Sequence, residues 1–145
     1  MNDRLMHDTS TGKNVDEHLE IVFSEVYHEN ISDPAAITTL INPYTSAIYG
    51  DAAVPFEPAL TSIEHAIKWA TQFGELRIIP VTGVMAREIL KDDTRECNWI
   101  AKIGDDRPDQ SRVYGRTLIQ VIVLAGVQVL RETAHGLLNS PASKH

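Results

Sequence analysis

The feature that most constrains this sequence is its apolar C-terminal run, residues 118–130, which only Gln120 and Gln128 interrupt. A surface helix has one apolar and one polar side, whereas a helix that is apolar nearly all round must be covered by the rest of the protein. The run is also shorter than the ~20 residues that a membrane-spanning helix needs. It therefore predicts a buried central element and argues against a membrane partner.

Two secondary structures compete for this element. A helix over residues 111–138 gathers the polar side chains near one stripe, and Asp109 and Ser111 are candidates to cap its start. The β-branched residues of the run favour strands instead. Those strands would have to join at Ala125-Gly126, which is poor hairpin turn chemistry. We favour the helix.

Helical spacing and end signals predict further helices in the first two thirds of the chain. Pro34 begins one helix, which Pro43 stops or kinks, and Thr61 with Glu64 fits a capping box at the start of another. Short apolar, β-branched segments predict two strands, and clusters of Gly, Pro and Asp predict loops. The other predicted helices cover residues 15–29, 62–73 and 83–91, the strands cover 76–79 and 97–103, and the loops cover 50–58 and 104–110.

The predicted fold is a helix-dominated α+β single domain with a small sheet. The alternative is an all-α fold, and a C-terminal hairpin would enlarge the sheet to about four strands. A chain of 145 residues fits one domain. We assign this domain to residues 14–138 and flexible tails to 1–13 and 139–145.

The formal net charge of −7 is unevenly distributed along the chain. Residues 1–75 contain 12 acidic and 3 basic side chains, and residues 76–145 contain 8 acidic and 10 basic ones, so that −9 and +2 give −7. Two halves of opposite charge are expected to pack against each other. An acidic chain is also a poor partner for nucleic acid, because neutralising phosphates requires clustered bases.

The single cysteine, Cys97, cannot form an internal disulfide. Residues 1–13 are polar and contain no apolar core of a secretory signal. Both features favour a cytoplasmic protein.

The arginines at the predicted start of the last helix form the first candidate site. Arg112 and Arg116 would lie one turn apart on the same helical face, and a helix start disfavours cations unless an anion compensates them. Guanidinium groups bind phosphate or carboxylate in a bidentate manner, and a helix start offers backbone donors as well. With Arg107 and Tyr114 nearby, these residues predict an anion-binding site.

Acid–base candidates are few. Walker A, G-x-G-x-x-G, H-E-x-x-H, C-x-x-C and G-x-S-x-G patterns are all absent from the sequence. His65 has a reference pKa near neutrality and follows Glu64, so these two residues are the candidates for a general acid or base. We expect no cofactor and no metal site.

Two functions follow from these features. The first is a non-enzymatic interaction protein that self-associates, most simply as a dimer, and binds a protein partner, because the apolar last element could exceed what so small a body can cover. The alternative is a small enzyme or ligand-binding domain that holds a phosphate or carboxylate ligand through Arg107, Arg112 and Arg116.

Overall fold

The fold was analysed in a computed structural model, which describes residues 17–81, 97–104 and 111–139, with side chains up to residue 134. It is a helix-dominated α+β fold, as predicted. The helices are α1 (residues 17–27), α2 (Pro34–Tyr49), α3 (Ile63–Thr71) and α4 (Leu118–Asn139). Two 3₁₀ turns, Gly50–Ala52 and Glu57–Leu60, lie between α2 and α3. The strands are β1 (Leu76–Pro80), β2 (Trp99–Ile103) and β3 (Val113–Gly115).

The C-terminal apolar run forms α4, which confirms the helix over the hairpin. Residues 121–127 of this helix are all buried. The sheet packs against α4 through β2 and β3, and α3 packs against it as well. Buried residues of α1 and α2 complete the same core. Every side of residues 121–127 is thereby covered within one chain, as a helical segment that is apolar all round requires.

The three strands form an antiparallel sheet in the order β1-β2-β3. Leu76 pairs with Ile103, and Ala101 pairs with Val113, so these side chains share one face of the sheet. Ala101, Ile103 and Val113 are buried in the core that surrounds α4. The two strands predicted from sequence are confirmed, and β3 is an addition to them.

The prediction that the last helix begins at residue 111 is wrong, because α4 begins at Leu118. Residues 113–115 pair with β2 instead, and Ser111 is buried where its Oγ donates to Oε2 of Glu132, at 2.8 Å. Val113 and Gly115 are buried and Tyr114 between them is half-buried, which is the alternation of a strand. A partner strand distant in sequence therefore outweighs the local helical pattern.

The helix that begins at Pro34 does not end at Pro43, as one reading of the sequence predicted, but continues to Tyr49. Pro43 itself is exposed. Ile37, Ile41 and Thr45 are buried at helical spacing on both sides of it. Burial of this continuous face offsets the loss of one backbone donor at the proline.

Helix α3 is confirmed with a corrected start. The residue that caps it is Ser62, whose Oγ accepts from the backbone N–H of His65 at 3.3 Å, rather than Thr61. Its far end is held by Gln72, whose side chain donates to the Trp69 carbonyl at 2.8 Å and accepts from the Val54 N–H at 3.0 Å. The loop after α2 is thereby fixed to the end of α3.

Predicted features also fall outside the described residues. These are the helix over residues 83–91, most of the loop over 104–110, the tail over 1–13 and the tail over 139–145 apart from Asn139, which is the last residue of α4.

The closest approach between α3 and α4 depends on a glycine. The indole of Trp69 is fully buried, packs edge-on against Phe56 and Phe73, and lies directly over Gly126 of α4. A Cβ at Gly126 would lie 2.2 Å from Cζ3 of Trp69. Only glycine therefore fits at this helix crossing.

Gly126→Ala is expected to destabilise the protein by about 1–3 kcal/mol, because overpacking exceeds the gain in helix propensity. In a Trp69→Leu background, where the indole is gone, the same substitution should be neutral or stabilising by up to about 1 kcal/mol. Urea unfolding monitored by circular dichroism gives all four free energies of the double-mutant cycle. An equal cost in both backgrounds would contradict this packing.

Candidate functional site

The structure places the predicted arginine cluster outside the last helix. Arg112 lies directly before β3, and Tyr114 lies within β3. Arg116 lies in the bend between β3 and α4. Arg107 falls outside the described residues. The argument that Arg112 and Arg116 share a helical face one turn apart is therefore wrong, because neither residue is in the helix.

Arg116 binds a carboxylate of the same chain. Its Nε and one terminal nitrogen donate to the two carboxylate oxygens of Glu29, each at 2.9 Å. The two side chains are 47% and 37% exposed, so that water weakens the pair to roughly 0.5–1 kcal/mol. The bidentate geometry fixes the direction of both side chains nonetheless.

Glu29 has an unusual backbone. Its φ of 55° places it in the left-handed region directly after α1, a position that favours glycine. The N–H groups of Glu29 and Asn30 donate back to the carbonyls of Val26 and Glu25, at 3.1 and 2.9 Å, which is a Schellman ending. A glutamate adopts this conformation at some cost in free energy. At this position its carboxylate lies within hydrogen-bond distance of Arg116.

Gln120 connects the end of α1 to the start of α4. Its side-chain oxygen accepts from the backbone N–H groups of Arg116 and Thr117, and its side-chain nitrogen donates to the carbonyls of Val26 and Tyr27 at 3.2 and 2.7 Å. All four backbone groups lie at helix ends, where helices leave donors and acceptors unsatisfied. One buried amide therefore satisfies two helix ends at once.

The sequence contains a signal for Gln120 that our sequence analysis missed. Thr117 and Gln120 form a capping box, because the Thr117 Oγ1 accepts from the Gln120 N–H at 3.2 Å while the Gln120 side chain returns to the Thr117 N–H at 3.3 Å. Glycine is needed just before this box, since a Cβ at Gly115 would lie 2.8 Å from the Gln120 side-chain oxygen.

A second cationic group lies on the face of the sheet opposite α4. Arg77 pairs directly with Lys102 across β1 and β2, and the register of β2 with β3 places Arg112 beside Lys102 on its other side. The next row contains Ile79, Ile100 and Tyr114. We call Arg77, Lys102, Arg112 and Tyr114 the cationic sheet face. Sequence analysis identified Arg112 and Tyr114 but missed Arg77 and Lys102, because only strand pairing brings them together.

Each cation of the cationic sheet face already has interactions within the protein. Arg77, for example, lies 3.7 Å from Glu75 in an exposed ion pair. Arg77 is exposed, whereas Lys102 and Arg112 are half-buried. The face is therefore a partly covered surface with positive charge at its β1 edge.

The acid–base candidates lie apart from these arginines. Glu64 and His65 are exposed in the first turn of α3. Glu64 pairs with Lys68 at 3.9 Å, and Nδ1 of His65 lies 3.0 Å from the Ser62 Oγ. Each is engaged in its own helix, and no described contact joins either of them to Arg112 or Arg116.

The remaining candidate features are a metal site, the Cys97 thiol and a membrane-spanning helix. In the described ranges no group of three His, Cys, Asp or Glu residues could hold a metal ion. Cys97 is half-buried, and its thiol lies 3.8 Å from the Trp99 carbonyl. None of the described helices combines the length and apolar character needed to cross a membrane. Searches of protein-family models, curated proteins and solved structures find no match to the chain.

Gln120→Leu is expected to destabilise the protein by about 2–4 kcal/mol, because it leaves backbone groups at two helix ends without partners. The matched control is Gln128→Leu on the same helix, since the half-buried Gln128 bonds only to the side chains of Glu132 and Arg131. That loss should stay near or below about 1 kcal/mol. Chemical unfolding measures both values, and equal losses would contradict the role assigned to Gln120.

Proposed function

We propose that this chain is a non-enzymatic, cytoplasmic interaction protein that self-associates and binds an acidic segment of a protein partner at its cationic sheet face. The observation that carries the binding proposal is the row of three cations across neighbouring strands. Strands lie about 4.8 Å apart, and like charges directly opposite each other are destabilising. Such a row favours anionic groups nearby.

The side chains beside this row suit a protein partner. In the neighbouring row of the sheet Ile79 is exposed and Tyr114 is half-buried, whereas Ile100 between them is buried, so that a partner could contact only the two ends of this row. Tyrosine and arginine are enriched at protein interfaces, where apolar contact adds to charge recognition. Carboxylates of the same chain also interact with cations, so the partner has to compete with them, and binding should be moderate and sensitive to salt.

Self-association needs a different basis from the one inferred from sequence. Residues 121–127 of α4 are buried within the chain, so they leave no apolar surface for a second copy to cover. The outer side of α3 instead exposes Ile63 and Ile67, at 44% and 40%, one turn apart on the same face. A short apolar stripe of this kind supports a weak symmetric contact between two copies, because a two-fold axis pairs the stripe with itself.

A small anion is the alternative ligand for the cationic sheet face. The half-burial of Lys102 and Arg112 favours it, because partial burial strengthens the attraction of guanidinium and ammonium groups for phosphate or carboxylate. The acid or base of the enzyme alternative would be His65 or Glu64. Their position in the first turn of α3 gives that alternative little support.

The partner proposal is tested with a fluorescein-labelled glutamate-rich peptide and a matched peptide in which glutamine replaces each glutamate. Fluorescence anisotropy should show binding of the acidic peptide only. The double variant Arg77→Gln/Lys102→Gln should weaken it by a factor of about 5 to 30, since each of these two solvent-accessible charges contributes about 0.5–1 kcal/mol.

Lys68→Gln is the matched control, because Lys68 is an exposed cation on α3 and its loss should not change the affinity. Competition by inorganic phosphate at low millimolar concentration would favour the small-anion alternative. Equal affinity of the control and the double variant would contradict binding at the cationic sheet face.

Self-association is tested by sedimentation velocity over a concentration series. The wild-type chain should form dimers at high micromolar concentration, and Ile63→Gln/Ile67→Gln should remain monomeric, because the substitution removes the apolar stripe. Ile48→Gln, at a similarly exposed isoleucine on α2, is the control and should dimerise normally. A wild-type chain that is monomeric throughout the series would contradict this part of the proposal.

A further inference from the structure

Strand β1 lies at an edge of the sheet, and no strand in the described part of the chain pairs with its outer side. Two backbone bonds that flank β1 show which of its groups point towards β2. The N–H of Val81 donates to the Asn98 carbonyl at 3.0 Å, and the N–H of Gly104 donates to the Glu75 carbonyl at 2.9 Å. Bonded positions alternate along an antiparallel pair, so the odd-numbered positions of β1 direct their backbone groups to β2.

The even-numbered positions of β1 therefore direct their backbone groups to the outer edge. The N–H and C=O groups of Leu76 and Ile78, and the carbonyl of Pro80, have no hydrogen-bond partner among the described residues. Proline has no N–H to lose at such a position, which is where sheets tolerate it. An edge with unpaired backbone groups can accept another extended strand.

The side chains of β1 differ between the two faces of the sheet. Arg77 and Ile79 lie on the face that carries the row of cations, and both are exposed, Ile79 at 45%. Leu76 and Ile78 point to the opposite face, where both are half-buried and packed against the core. A strand added at this edge would meet a cation and an apolar side chain on one face and two apolar side chains on the other.

We propose that an extended segment of a partner protein adds to β1 as an antiparallel strand, and that this segment combines one acidic residue with alternating apolar ones. This inference rests on the proposed binding of an acidic segment at the cationic sheet face, and it gives that segment a conformation and a sequence pattern. Backbone bonds to Leu76 and Ile78 contribute affinity, and the alternate side chains contribute specificity.

The neighbouring side chains select the residues of this segment. An acidic residue opposite Arg77 extends the row of cations by one strand and places its carboxylate beside the exposed end of that row. An apolar residue two positions earlier in the segment lies opposite Ile79. Arg77 and Ile79 would occupy the non-hydrogen-bonded positions of the new pair, where opposite side chains come closest.

Glu75 limits the number of acidic residues in the segment. It lies two positions before Arg77, on the same face, and its carboxylate is 3.7 Å from the Arg77 guanidinium. The acidic residue of the partner therefore shares Arg77 with Glu75. A second acidic residue directly opposite Glu75 would be repelled, so the segment needs a neutral residue there.

The first experiment uses a fluorescein-labelled peptide of sequence Ser-Thr-Ile-Val-Glu-Val-Thr-Ser, whose glutamate falls opposite Arg77 and whose isoleucine falls opposite Ile79. N-methylation of its two valines removes the N–H groups that face β1, and fluorescence anisotropy should show affinity reduced by about tenfold or more. N-methylation of its isoleucine and glutamate is the matched control. Those N–H groups point away from β1, so the affinity should change by less than about threefold.

The outcomes separate this inference from the proposed function. Equal affinity of the two N-methylated peptides, with binding still weakened in Arg77→Gln/Lys102→Gln, would overturn strand addition and leave the proposed function intact. Absence of binding by both this peptide and the glutamate-rich peptide would overturn the two together.

Amide hydrogen exchange of the full chain, followed by NMR, gives a second readout. The peptide should slow exchange of the Leu76 and Ile78 amides by about fivefold or more, whereas the Arg77 and Ile79 amides, already bonded to β2, should change little. Slow exchange of the Leu76 and Ile78 amides without peptide, increasing with protein concentration, would assign the edge to a second copy of this chain and overturn the proposal.

Discussion

The fold depends on covering α4 from every side. Its central residues, 121–127, have no polar side chains, and all of them are buried. The sheet covers one side and the remaining helices cover the others, so the small sheet and the helical layer are both needed to bury one helix. The closeness of this packing is set by Gly126, which lets the indole of Trp69 rest on the helix backbone. Residues 121–127 of α4 therefore offer no apolar surface to a partner.

Burying a helix also buries its ends, where backbone N–H and C=O groups have no partner within the helix. In this protein one side chain supplies hydrogen bonds to such groups at two helix ends. Backbone donors at the start of α4 and acceptors at the end of α1 face each other, and Gln120 bonds to both sets. The opposite helix dipoles and the Glu29–Arg116 pair are consequences of the same meeting of ends. This polar junction therefore arises from the way in which the central helix is buried.

Local signals in the sequence were sufficient for much of the fold. The apolar run predicted α4, and short β-branched segments predicted β1 and β2. Strand β3 could not be predicted in the same way, because it spans only Val113–Gly115 and depends on pairing with β2. The error displaced the start of the last helix and with it the geometry of the arginine cluster. The Thr117–Gln120 capping box, by contrast, was readable in the sequence and would have corrected that start.

The uneven charge of the chain has a structural explanation in two parts. Arg116 and Arg131 reach from the second half to Glu29 and Glu20 of α1, at 2.9 and 2.8 Å, and Arg131 also lies 4.3 Å from the ring centre of Phe23. These two ion pairs join the acidic first half of the chain to the second half, in line with the expectation that the two halves pack together. The cationic sheet face lies on the opposite side of the sheet from the core that surrounds α4. The arginines that pair with α1 are thus different residues from the cations on which we base partner binding, which have interactions of their own. Substitutions can therefore distinguish the two groups.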